Sequence, residues 1–291
     1  MAEKFIDMHM HTTYSDGELT PDELINLAIE NNIAVMSITD HNTIDGMKQV
    51  DRNKEYIRKS GIEIINGIEL TAKVPKGRMH ILGYDYDINN HELNNIMDKL
   101  KDDSISRFLS ILEQVKRDYG INFHYTDIQD LINATHNLGR PDLAKLLVKY
   151  NFAGDINEAF DKYLNPANDK IRGINKGLNY QECFDIITNS GGIPVIAHPK
   201  TLKLSNEEFE NLLSDMIDKG LRGIEVYHST HTQEEINYYK KIAEKYGLLI
   251  SGGSDFHGKS KPEINIGTGI NNNLKIKKLS LIDEIRKRNG N

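Results

Sequence analysis

Histidines and carboxylates in this chain fall at spacings that suit metal chemistry. His9 and His11 stand two apart in Phe5-Ile-Asp-Met-His-Met-His11, and Asp16 follows shortly after. Near the other end, Asp255 and His257 repeat the two-residue step. Side chains alternate along an extended strand, so residues two apart point to one side. Between the doublets, His41 follows Ile38-Thr39-Asp40, Glu69 lies in Gly67-Ile-Glu-Leu70, and His80 opens Met79-His-Ile-Leu82. His198 follows Val195-Ile-Ala197, and His228 follows Glu225-Val-Tyr227. A single His-x-His occurs often by chance, but several apolar runs that each end in His or Asp do not. Imidazole and carboxylate without thiolate suit zinc, manganese or iron and exclude a thiolate zinc finger. The candidates are too many for one ion. Two or three ions sharing a bridging carboxylate would use them, activating a water and neutralising charge as phosphate-ester hydrolysis requires.

The elements that must position these residues alternate between strand and helix. Apolar runs at Phe5–Met8, Ala34–Thr39, Ile62–Ala72, Met79–Asp87, Ile193–Ala197, Gly223–Tyr227 and Leu248–Gly253 read as strands. Capping boxes at Thr20–Glu23, Asn179–Glu182 and Thr232–Glu235 open helices, and further helices are expected at Thr43–Lys59, Asn206–Asp218 and Ser280–Arg288. From His91 to Leu164 only helical periodicity is found, in Ile105–Val115, Thr126–Ile132, Arg140–Val148 and Ile156–Leu164. Strand–helix alternation implies a mostly parallel sheet, closed as a barrel or open, and the C-terminal strand ends of a barrel share one face. No Gly-x-Gly-x-x-Gly turn follows the first strand, which argues against a dinucleotide-binding open sheet.

Composition narrows the function. The 291 residues suffice for a large core. A net charge of -7 gives no general attraction to nucleic acid or acidic membrane. Cys183 is the only cysteine, so no intrachain disulfide forms, and a reducing, cytoplasmic compartment is expected. No secretory signal or membrane-spanning run is visible in the sequence, and no stable protein partner is inferred.

Asp7-Met-His-Met-His-Thr-x-x-Ser-Asp-Gly17, Ile38-Thr-Asp-His-Asn42, Gly67-Ile-Glu-Leu70, Met79-His-Ile-Leu-Gly83, Ala197-His-Pro199, Gly223-Ile-Glu-Val226 and Gly253-Ser-Asp-Phe-His257 together resemble the polymerase and histidinol phosphatase (PHP) family of metal-dependent phosphoesterases. The resemblance implies a distorted (β/α)7 TIM-like barrel over residues 1–90 and 178–291, with an inserted helical subdomain, 91–177, covering the active site. It implies a trinuclear centre. His9, His11, Glu69 and Asp255 would hold the first ion, and Asp16, His41 and His257 the second. Glu69, His80 and His198 would hold the third. Manganese is favoured, with iron or zinc as alternatives. Asp40 is read as a partner that orients the histidines, and Asp7 either as another or as a structural acid.

Within the family, the helical insertion resembles the branch of 3′,5′-nucleoside bisphosphate phosphatases and 5′–3′ exonucleases. Attack by a metal-bridging hydroxide on a small phosphorylated nucleotide or an oligonucleotide 5′ end is expected. Histidinol-phosphate phosphatase is the enzymatic alternative, and a metal-loaded regulatory module without turnover is the alternative of another class. Gly139-Arg-Pro-Asp142 resembles the branch's insertion motif, with Asp142 where histidine is usual. Arg140 is a candidate phosphate clasp, and a helix start at Pro141 is the competing reading. His228 is assigned to phosphate binding or leaving-group protonation, with a structural histidine as its alternative, and Lys200 is a candidate phosphate contact. His91, His124, His136 and His231 are expected to be solvated, Cys183 to be packed in the core, and Lys275–Lys278 to lie in a solvated loop.

Overall fold

Seven strands follow one another around a nearly closed barrel in the order β1 to β7. The structure, a computed structural model, describes residues 3–53, 60–134, 138–171 and 177–290. His136 and the end of the helix expected at Thr43–Lys59 lie outside them. β1 (Phe5–Asp7), β2 (Ile33–Ile38) and β3 (Glu63–Ala72) run parallel. β4 (Met79–Tyr84) is antiparallel to both β3 and β5 (Ile193–Ile196). β5, β6 (Gly223–His228) and β7 (Leu249–Gly253) are again parallel. The ends meet where Met8 N–H donates to Gly252 O at 3.2 Å and where Met10 bridges Phe256.

The reversal of β4 follows from chain length. Only the short link Lys73–Arg78 separates it from β3, and a parallel crossover needs a dozen or more residues. Thr71 therefore pairs with His80, so the start of β4 lies beside the C-terminal end of β3. That is how a residue at the beginning of a strand joins candidate ligands at the ends of others.

Helices pack outside the strands. Pro21–Glu30 lies on β2, Tyr180–Asn189 on β4 and β5, and Gln233–Tyr246 on β6. Each begins with a reciprocal capping box, from Thr20, Asn179 and Thr232 respectively, so the expected helix starts are observed. Inside, Met8, Val35, Leu82, Tyr84, Val195 and Leu281 belong to one apolar core. Cys183 is buried as expected, and Lys275, Lys277 and Lys278 are exposed. At the end of β7, Gly253 is required by close approach, since a Cβ there would stand 2.3 Å from His9 N.

The chain divides into two compact units, 1–96 with 177–291, and 97–176. The long helix His91–Tyr119 begins in the first and continues in the second. The second unit is helical and has its own core, including Phe108, Ile111, Leu143, Leu147 and Leu164. Its last expected helix, Ile156–Leu164, is observed as a helical turn, Ile156–Ala159, that continues through a wider π-type turn, Phe160–Leu164, into Asn165–Lys170. Pro166 has no N–H to give to Lys162 O, which accepts from the Tyr119 hydroxyl at 2.8 Å instead. Among the described residues, no helix is long and apolar enough to cross a membrane.

Candidate metal centre

Glu69 organises the barrel's cluster from the end of β3, fully buried. Its Oε2 lies 3.1 Å from His9 Nε2, 3.1 Å from His11 Nε2 and 3.3 Å from His41 Nδ1. Its Oε1 lies 2.8 Å from His80 Nδ1 and 2.9 Å from His198 Nε2. One carboxylate thus divides five histidines between its two oxygens. Asp255 Oδ1 adds a second carboxylate, 3.5 Å from His9 Nε2 and 3.3 Å from His11 Nε2. Asp16 approaches His257 Nε2 at 3.3 Å, His11 Nδ1 at 3.6 Å and His41 Nε2 at 3.9 Å.

These separations fit metal ligands. Bonds of about 2.1 Å at roughly 90–109° place neighbouring ligand atoms about 3.0–3.4 Å apart. Several of the contacts are not hydrogen bonds. His11 Nε2 and His41 Nδ1 are buried with no hydrogen-bond partner, although carboxylate oxygens lie within 3.5 Å of each. Buried polar atoms are otherwise almost always paired. Lone pairs brought together in this way repel unless a proton or a metal ion lies between them. The groups His11–Asp16–His41–His257, His9–Glu69–His198, His9–His228–Asp255 and His41–Glu69–His80 each keep their ligand atoms within 4.8 Å of one another.

The profile of the PHP domain family matches residues 7–250. The chain belongs to the PHP domain family. It is 26% identical to the 3′,5′-nucleoside bisphosphate phosphatase of Chromobacterium violaceum, over 90% of this chain and 90% of that one. It is 27% identical to a 5′-3′ exoribonuclease of Haemophilus influenzae, over 88% of this chain and 91% of the relative. A crystal structure of a candidate metal-dependent phosphoesterase from Bifidobacterium adolescentis superposes with a TM-score of 0.76 at 27% identity, covering 99% of this chain and 97% of that one. This PHP protein is a phosphoric ester hydrolase.

Electrostatics couple the PHP cluster to protons. Burial pushes the Glu69 carboxyl up, but His41, His9 and His80 overcome it and hold the group well below the usual range. Burial disfavours a charged His11, yet Asp255 and Glu69 hold its imidazole up at about 9. At neutral pH an ion bound through His11 would therefore displace a proton from it. Adding manganese to weakly buffered protein at pH 7 is expected to acidify the solution, and affinity should rise as pH climbs toward 9. Dye-monitored titration checks this. Uptake without proton release would contradict the placement of His11.

Other expected residues are distributed as follows. His228 is buried, with Nδ1 2.9 Å from Thr230 Oγ1 and Nε2 3.5 Å from Asp255 Oδ2, and so borders the cluster. Lys200 Nζ donates to Glu235 Oε2 at 3.0 Å and to Thr230 O at 3.2 Å. Within the insertion, Arg140 donates to Asn165 Oδ1 at 2.9 Å and lies over the Phe160 ring. Asp142 accepts from Gly139 N at 3.0 Å in the first turn of Arg140–Lys149, so the helix-start reading is observed.

Two readings change, and a third, left open between alternatives, is decided. His231 is not solvated: it is buried, and its Nδ1 donates to Val226 O at 2.9 Å. Burial and nearby His228 push its imidazole down to about 4. Among the described residues, Asp40 hydrogen-bonds no histidine ring. It accepts from Thr12 N at 2.7 Å and from Ser15 Oγ at 2.7 Å, and Ser15 Oγ in turn lies 3.3 Å from His11 Nδ1. Asp7 ties backbone together, accepting from Ser254 N at 2.8 Å and Gly267 N at 2.7 Å, and so is the structural acid.

Two residues at the site were not anticipated as functional. Glu225 Oε1 accepts from His9 Nδ1 at 2.8 Å, and its Oε2 accepts from His198 N at 2.6 Å. The signal was an acid between apolar residues in Gly223-Ile-Glu-Val226. Lys261 Nζ donates to Asp255 Oδ2 at 2.7 Å.

Proposed function

We propose that this protein is a multinuclear metal phosphatase acting on small phosphorylated nucleotides, with 3′,5′-nucleoside bisphosphates favoured and oligonucleotide 5′ ends as the second substrate class. The observation that carries the reading is Glu69, whose two oxygens divide five histidines as a bridging ligand would. The named activities of the phosphatase and the exoribonuclease supply the substrate class.

In this reading His9, His11, Glu69 and Asp255 hold one ion, Asp16, His41 and His257 a second, and Glu69, His80 and His198 a third. Manganese is the favoured metal. Bound divalent ions supply neutralisation of phosphate charge and a water acidified toward neutral pH. The chain's own groups do the rest. Glu225 keeps a proton on His9 Nδ1, which leaves the Nε2 lone pair facing the cluster. His228, anchored through Nδ1 to Thr230, presents Nε2 beside Asp255, where it can give a proton to the leaving oxygen. The single, buried cysteine suits a cytoplasmic setting.

Phosphate release with manganese tests the proposal across 3′,5′-bisphosphorylated adenosine, mononucleotides, 5′-phosphorylated oligoribonucleotides and histidinol phosphate. The bisphosphate is expected to give kcat/KM about tenfold or more above histidinol phosphate, a difference of about 1.4 kcal/mol. Preference for histidinol phosphate would overturn the substrate class. A metal-loaded protein inert toward every compound would instead indicate a regulatory module.

A further inference from the structure

We propose that Lys261 binds a phosphate oxygen of the substrate on the Asp255 side of the site, an inference that rests on the ligand assignment above. The two oxygens of Asp255 face different neighbours. Oδ1 lies 3.3 Å from His11 Nε2, 3.5 Å from His9 Nε2 and 3.5 Å from His257 Nδ1. Oδ2 lies 2.7 Å from Lys261 Nζ and 3.5 Å from His228 Nε2. An ion held through Oδ1 therefore leaves the lysine in place.

Lys261 sits at the rim. Its side chain is 37% exposed, against 12% for that of Asp255. The short helical turn Gly258–Ser260 brings it back, with Lys261 N donating to Gly258 O at 3.1 Å. An ammonium carries three donors. Among the described residues only Asp255 Oδ2 accepts from this one, so two N–H groups remain to meet a ligand. Lys261 is also the only lysine or arginine among the described residues in ion-pair contact with Asp16, Glu69, Glu225 or Asp255. In a chain of net charge -7 a polyanion meets general repulsion, and a cation fixed at the site adds to the attraction that bound metal ions would supply. Lysine serves this purpose as a point charge, without the planar fork that arginine requires.

The test uses the full chain loaded with manganese, as wild type, Lys261→Gln and Lys261→Arg. Elemental analysis reads manganese per chain, calorimetry reads the affinity for inorganic phosphate, and steady-state kinetics reads KM for 3′,5′-bisphosphorylated adenosine. Lys261→Gln is expected to keep the wild-type manganese content, bind phosphate about tenfold more weakly and raise KM, with Lys261→Arg recovering part of the loss. Unchanged phosphate affinity in fully loaded Lys261→Gln would overturn the proposal. So would loss of manganese from that variant, because the lysine would then act through Asp255 rather than on substrate. Asp255→Asn run in parallel separates the two ideas: full manganese in that variant would refute the ligand assignment, whatever Lys261→Gln does.

Discussion

Asp255→Asn is expected to lower turnover by about 10³-fold or more, equivalent to roughly 4 kcal/mol at the transition state, while the protein stays folded. The carboxylate touches three imidazoles through Oδ1 and two further groups through Oδ2. Its charge is present at any working pH, because burial, which raises the carboxyl, is outweighed by His11 and His228, which hold it well below the ordinary range. Asparagine keeps the shape but removes the charge and places a donor where a lone pair is needed. The choice of asparagine over alanine matters here. Asp255 has φ +59°, a left-handed conformation that Asn tolerates and that penalises most other residues. Its backbone N–H to His9 O, 2.8 Å, survives either change and keeps β1 joined to the loop after β7. Thermal unfolding, manganese content and kcat together check the outcome. Near wild-type kcat with a full complement of metal would remove Asp255 from the centre.

Much of this site was legible because a strand that ends in a polar residue leaves a visible mark. Val195-Ile-Ala197 followed by His198, or Gly252-Gly253 followed by Asp255 and His257, shows an apolar run stopping at a residue costly to bury without a partner. The helix starts were legible for a similar reason, since Thr20–Glu23 and Thr232–Glu235 carry both halves of a local exchange of hydrogen bonds. Strand direction was different. Alternation has a period but no polarity, so the apolar pattern of Met79–Tyr84 is the same whichever way the strand runs. The clue lay in the short link before it, and the consequence is that His80 reaches Glu69 from a strand's beginning.

The two corrected readings differ in cause: His231 is buried by partners close to it in sequence, whereas Asp40 finds its partners 25 and 28 residues away. His231 precedes a helix cap and so reads as solvated, yet the ring packs between His228 and Tyr239, with ring centroids 5.2 and 5.0 Å away. Asp40 reads from the sequence as a partner that orients the histidines. The structure turns it toward Thr12 and Ser15, 28 and 25 residues earlier, and Ser15 Oγ in turn lies beside His11 Nδ1. Local pattern identifies which residues can do chemistry. Only the fold decides which of them meet.

Glu225 is the strongest case, and Glu225→Gln is expected to weaken manganese binding by about 10- to 100-fold, the usual range for a partner that orients a ligand. Burial pushes this carboxyl up, but His9 and His228 outweigh it and hold it down to about 2, so the native group is charged. Both of its oxygens accept, one from His9 Nδ1 at 2.8 Å and one from His198 N at 2.6 Å. Glutamine has one acceptor oxygen and one donor amide. Either it keeps His198 N and turns its NH₂ toward His9, or the reverse. The first choice forces His9 to lose or move its Nδ1 proton, which puts a hydrogen on the Nε2 that faces Glu69 and Asp255. The second leaves a buried backbone N–H unpaired, at a cost of about 1–3 kcal/mol. Either way a ligand histidine is misdirected without any ligand being removed. The consequence separates this variant from Asp255→Asn. Turnover of Glu225→Gln should recover substantially at high manganese, because its ligands are all present, whereas Asp255→Asn should stay inactive at any concentration. A Glu225→Gln protein with wild-type manganese affinity, or one that excess metal cannot rescue, would show that Glu225 does not act by orienting His9.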